Sequence, residues 1–139
     1  MNRAIAALIV ALTAGSAFAA GDKKVDFAKD IKPIFQKSCI KCHSLDPDKP
    51  KKKAAAEFRL DDEKAALKGG RAGVDIVPGD AKNSRLYQLL SGPVPRPDDP
   101  DKEIAPMPHV KRGEKFKPLP ADQVALIKRW IDEGAGWAD

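Results

Sequence analysis

Apolar residues recur at helical spacing in four places along the chain, and long polar connections separate them. Phe27, Ile31, Ile34 and Phe35 fall at intervals that share one helical face, which predicts a first helix from Phe27 to about Cys42. Pro33 complicates it. Either Asp30 is the N-cap and the proline sits in the tolerant first turn, or Pro33 kinks a longer helix. A second helix is predicted over Asp61 to Lys68, capped by Asp61 or Asp62 and stopped by Gly69-Gly70. A third runs from about Ala81 to Leu90, with Asp80 as N-cap, Gly92 just beyond, and Leu86, Leu89 and Leu90 as its stripe. The clearest period belongs to Ala121 to Glu133, where Val124, Ile127, Trp130 and Ile131 line one face and Gly134 is the C-cap. No segment alternates cleanly enough for a strand, so the expected fold class is all-α.

Prolines at 93, 95, 97, 100, 106, 108, 118 and 120 rule out a helix between Gly92 and Pro120. A connection this long needs a purpose or is disordered. Ile104 to Val110 has apolar anchors and is expected to be held. Pro93 to Lys102 has none beyond Val94, and its order is left open. At the other end, Met1-Asn2-Arg3, the apolar run Ala4 to Ala14 and Ala17-Phe18-Ala19 form the pattern of a cleavable signal over residues 1–19. The mature chain, 20–139, is then one domain, placed in the periplasm or otherwise exported. No apolar run has the length of a membrane span.

Composition narrows the function. Loss of Arg3 takes Lys+Arg from 25 to 24 against 20 acids, a mature charge of +4. Aromatics are only 6% of the chain, too few for the stacking platforms of a nucleic-acid binder. With 32% charged residues and 12 prolines the core is small and gains from a staple. The two cysteines, Cys39 and Cys42, are too close together to frame a fold as a disulfide, which points to a chemical use.

Cys39-Ile40-Lys41-Cys42-His43 is the C-x-x-C-H pattern of covalent c-type haem attachment. On a helical turn, positions i, i+3 and i+4 share a face. Two thiols then reach the two vinyl groups of one haem as thioethers, and the adjoining imidazole comes under the iron as proximal ligand. A redox dithiol is the weaker reading because no βαβ pattern surrounds the pair. A zinc site using His43 and His109 is weaker too, because His43 directly after Cys42 is awkward for a tetrahedral knuckle.

The mature chain has one methionine, Met107, and one further histidine, His109. Met107 lies between Pro106 and Pro108, which stiffen the backbone and hold a weak thioether ligand at low entropic cost. Met107 is the preferred distal ligand. His109, a lysine, or an open position are the alternatives. Methionine ligation raises the potential and closes the iron to small molecules, so the expected task is electron transfer, with no catalytic residue.

Together these segments resemble a known family. They are Phe27-x-x-Asp30-Ile31-x-Pro33-Ile34, the attachment motif, Arg59-Leu60-Asp61, Lys68-Gly69-Gly70, Ile76-Val77-Pro78-Gly79-Asp80 with Ser84 and Leu86, Met107-Pro108, and Trp130-Ile131-x-x-Gly134-Ala135. From about Val25 to Trp137 the chain resembles the planctomycete-type cytochrome c domain. The resemblance implies a cytochrome c-like fold, with about four short helices and long irregular loops wrapped around one covalently bound haem c. It also implies His43 as proximal and Met107 as distal iron ligand. Ser44 stands where glycine commonly follows the histidine, His109 where another proline is common, and Pro93 to Lys102 is longer than usual. Because the module stands alone, a small diffusible monomer or a subunit of a redox complex is expected.

Phe35, Ile34, Leu60, Leu86, Leu89, Trp130 and Ile131 are the apolar groups expected against the porphyrin. Arg59, Arg71 or Arg85 is expected at a propionate. Lys49, Lys51, Lys52 and Lys53, with Lys111, Arg112, Lys115 and Lys117, form two basic runs. If both flank the haem edge, they attract redox partners with acidic docking surfaces. The competing function is a haem enzyme subunit or small-gas sensor with an open or displaceable distal site. A high-spin ferric spectrum that shifts with carbon monoxide after reduction marks that case.

Overall fold

Asp26 opens the first helical segment in a computed structural model that describes residues 23–49, 51–110 and 113–138. The expected signal, its cleavage point before Ala20, and Lys111 and Arg112 lie outside the described residues. The Asp26 carboxylate accepts from the Lys29 N–H at 3.0 Å, and Asp30 accepts from the Asp26 N–H at 2.8 Å. Asp26 is therefore the cap, and Asp30 reaches back to it. The chain then makes a π-helical turn over Phe27–Ile31 and continues as α1, Lys32–Ser38. Of the two readings of Pro33, the longer helix is nearer. The wide turn precedes Pro33, which falls at the start of α1.

The next helix, α2, spans Glu63–Lys68 and is capped by Asp62, whose carboxylate accepts from the Ala65 N–H at 2.8 Å. Gly69 ends it at φ +85°. Helix α3, Arg85–Ser91, starts four residues later than expected. Asp80 does cap a turn, accepting from the Asn83 N–H at 3.1 Å, but that turn closes before the helix begins at Ser84. Helix α4, Ala121–Asp132, matches its prediction closely, with Gly134 at φ +104°.

The all-α expectation needs one correction. Val94–Pro95 (β1) and Glu103–Ile104 (β2) pair antiparallel, in register Val94 to Ile104 and Pro95 to Glu103. The segment Pro93 to Lys102, whose order was open, is thus the body of a short hairpin. The Arg96 N–H donates to the Lys102 carbonyl at 2.8 Å, and the Arg96 guanidinium holds Asp98 with two bonds. Two-residue strands are too short to show alternation, so periodicity had nothing to detect. The rest is four short helices and long connections.

The core lies where the Phe27–Ile31 turn and α3 pack against α4. Phe27, Phe35, Trp130 and Trp137 form its aromatic cluster, with the closest ring centroids 4.3 Å apart. Long-range bonds converge on the end of α4. Glu133 accepts from the Val25 N–H at 2.7 Å, Asp132 from the Ala81 N–H at 2.8 Å, and the Ile131 carbonyl from the Gly79 N–H at 2.7 Å. The last of these sews the Ile76–Asp80 turn to α4. Among the described residues, no helix is long and apolar enough to cross a membrane.

Candidate haem site

Beyond Ser38 the chain closes a turn on itself. The Cys42 and His43 N–H groups both donate to the Cys39 carbonyl, at 3.1 and 2.9 Å. Ser44, in place of glycine, donates its hydroxyl to the Ile40 carbonyl at 2.7 Å and ends the turn. The motif is tethered to the following segment, because the Cys42 carbonyl accepts from Ala55 at 2.8 Å and the His43 carbonyl from Leu60 at 2.7 Å. The three motif side chains therefore belong to one braced turn.

That turn forms part of the wall of a cavity of about 530 Å³, within the range of about 300–1,000 Å³ usual for ligand pockets. Cys39, Cys42 and His43 line it together with Met107 and His109. The remaining wall is mostly apolar, with Phe58, Leu60, Leu86, Leu89, Leu90 and Ile104 among its side chains. Cys39 is partly buried and Cys42 exposed. Burial pushes the Cys39 thiol up to about 11, and the neighbouring Cys42 adds to the rise.

The His43 Nδ1 sits 3.1 Å from the Phe58 carbonyl oxygen, and the Phe58 ring packs edge-on at 5.6 Å. A carbonyl only accepts, so this contact calls for the hydrogen on Nδ1 and leaves the Nε2 lone pair available to a metal. Nothing in the sequence marked Phe58 for this part, since any residue supplies a carbonyl. Met107 is partly buried against the core, and its backbone N–H donates to the Leu89 carbonyl at 2.8 Å, which ties the Pro-Met-Pro loop to α3. His109 is exposed.

The expected porphyrin contacts divide. Leu60, Leu86 and Leu89 line the cavity. Ile34, Phe35, Trp130 and Ile131 do not; they pack element on element in the core. The stripe of a helix shows that a face is buried, not against what. Of the three arginines, Arg59 forms a two-bond pair with Asp61, both bonds 2.9 Å, away from the cavity. Arg71 and Arg85 line it. Arg85 also meets Asp75 at 3.3 Å.

These donors fit a covalently held haem. Two thiols three residues apart, an imidazole with a fixed tautomer and a thioether share one largely apolar cavity. Among the described residues, no group of three or more His, Cys, Asp and Glu is placed to hold a metal ion, which disfavours the zinc reading.

The fold is small and mostly helical, and its cavity gathers the side chains of the C-x-x-C-H motif with Met107. Residues 39–103 match the family model described as planctomycete cytochrome C, which supports the resemblance read from the sequence. The match starts at Cys39, includes Cys42, His43, the Ile76–Asp80 turn and α3, and stops at Glu103, short of Met107. No curated protein and no solved structure matches the chain. The family implies covalent haem and a role in electron transfer.

Proposed function

We propose that the chain is a monohaem c-type cytochrome that carries single electrons outside the cytoplasm. The observation that carries this reading is the sharing of one apolar cavity by Cys39, Cys42, His43 and Met107. Bound haem supplies a one-electron iron couple. Cys39, partly buried, and Cys42, exposed, would hold it as thioethers. His43 is the proximal ligand, oriented by the Phe58 carbonyl. Met107 is the distal ligand, held by the Leu89 carbonyl, and its soft sulfur favours ferrous iron. Leu60, Leu86, Leu89 and Leu90 keep water from the porphyrin faces. Cys42, which is exposed, would place the held group near the surface, where electrons could pass to and from a redox partner protein.

Mass spectrometry and an absorption spectrum of the exported, matured protein test this. The expected result is one added haem mass and a low-spin spectrum with a sulfur-to-iron band in the red. In Met107→Ala that band disappears. Absence of added mass overturns the cytochrome reading. An unchanged spectrum in Met107→Ala overturns the distal ligand alone, and carbon monoxide binding by the reduced wild type supports the open-site enzyme or sensor.

A further inference from the structure

Asp75 is the only charged side chain that is buried among the described residues, at 8% exposure, and it lies in the cavity wall. A carboxylate withdrawn from water is costly unless hydrogen bonds and a countercharge hold it. Both are present. The Gly70 N–H donates to one oxygen at 2.8 Å, and the Arg85 Nη1 donates to the other at 3.3 Å. The Gly70 donor depends on glycine, because a Cβ there would stand 2.6 Å from the Ala56 carbonyl oxygen. The Asp75 main chain is fixed too, since its carbonyl accepts from the Leu86 N–H at 2.9 Å. This is a carboxylate fixed at both oxygens, by the Gly70 N–H and by one contact to the Arg85 guanidinium.

Ferric iron carries one more positive charge than ferrous iron. A negative charge held in the low-dielectric wall favours the ferric form, and a positive charge favours the ferrous form. Resting on the haem reading above, we infer that Asp75 sets the reduction potential of this protein downward, and that Arg85 opposes it. Asp75 thereby acts against the upward pull of methionine ligation, and Arg85 acts with it. Its field comes from inside the protein, so bulk salt screens it far less than it screens the surface lysines.

The test is the midpoint potential of the haem-loaded wild type, Asp75→Asn, Arg85→Gln and the double variant, at low salt and at about 1 M salt. The expected order is Asp75→Asn highest, wild type between, Arg85→Gln lowest, and it is retained at high salt. If Asp75→Asn alone fails to fold, the double variant against Arg85→Gln still isolates the carboxylate, and the double variant itself removes both charges of the pair. The potential must rise on that step. Equal potentials, or shifts in one direction for both single variants, overturn the inference, because a merely structural role would loosen the pocket in the same sense in both. A wild type with haem and an unmoved potential in the variants sinks this inference only. A wild type without haem sinks the cytochrome reading with it.

Discussion

The Ser84 hydroxyl is fully buried; it accepts from the Val77 N–H at 2.8 Å and donates to the Asp80 carbonyl at 2.8 Å. It closes the Ile76–Asp80 turn immediately before α3. Ser84→Ala leaves the Val77 N–H without its partner in the interior. The expected cost is about 1–3 kcal/mol, read as a lower denaturant midpoint with an unchanged slope. Gly69 is constrained differently. At φ +85° its missing Cβ would sit 2.1 Å from the Gly73 carbonyl oxygen. Gly69→Ala combines a left-handed backbone with a clash, and a loss of about 1–3 kcal/mol or more is expected in the same assay. The stop after α2 was readable from the glycine pair. The close approach of Gly73 was not, because it depends on a turn closed by residues further along.

At the scale of elements, α4 organises the chain by holding other segments to its C-terminal end. The Val25 N–H, then the Arg129 guanidinium, hold the Glu133 carboxyl below its ordinary 4.5. A depressed carboxyl adds stability above the unfolded-state value and loses it as pH falls through the folded-state value. The thermal midpoint is therefore expected to fall on acidification below about 4.5. Glu133→Gln should be less stable at neutral pH and show a shallower acid slope, whereas parallel curves for the two proteins would remove Glu133 from that linkage. Helix α4 was legible almost to the residue because its apolar period is strong. Helix α3 is expected too early because Asp80 does cap a turn, but that turn closes at Ser84 and the helix follows it. The hairpin of β1 and β2 escaped notice because two residues carry no period.

At the scale of the molecule, a small core surrounds an apolar cavity that a covalently held haem would fill. If residues 1–19 are removed and one haem is held, its two propionates would take the expected +4 to about +2, so electrostatic steering would come from local patches. Lys49, Lys51, Lys52 and Lys53 are exposed beside the attachment segment, as are Lys115 and Lys117 beyond the distal loop. If these patches guide an acidic partner, the electron-transfer rate falls as salt shortens the Debye length from about 30 Å at 0.01 M to about 8 Å at 0.15 M. A flat rate would assign the lysines to solubility alone.

Sequence alone determined the chemistry on offer. Cys39, Cys42 and His43 stand at a spacing with one common use, Met107 is the single thioether of the expected mature chain, and the helices carry caps and stripes that local energetics dictate. Tertiary structure decided which groups meet. It turned Leu60, Leu86 and Leu89 to the cavity and Ile34, Phe35, Trp130 and Ile131 to the core. It brought the Phe58 carbonyl to His43 and buried Asp75 against Arg85. Those outcomes depend on which faces pack together and on backbone groups that every residue possesses. A periodic pattern records that a side is hidden from water, and only the folded chain specifies its neighbour.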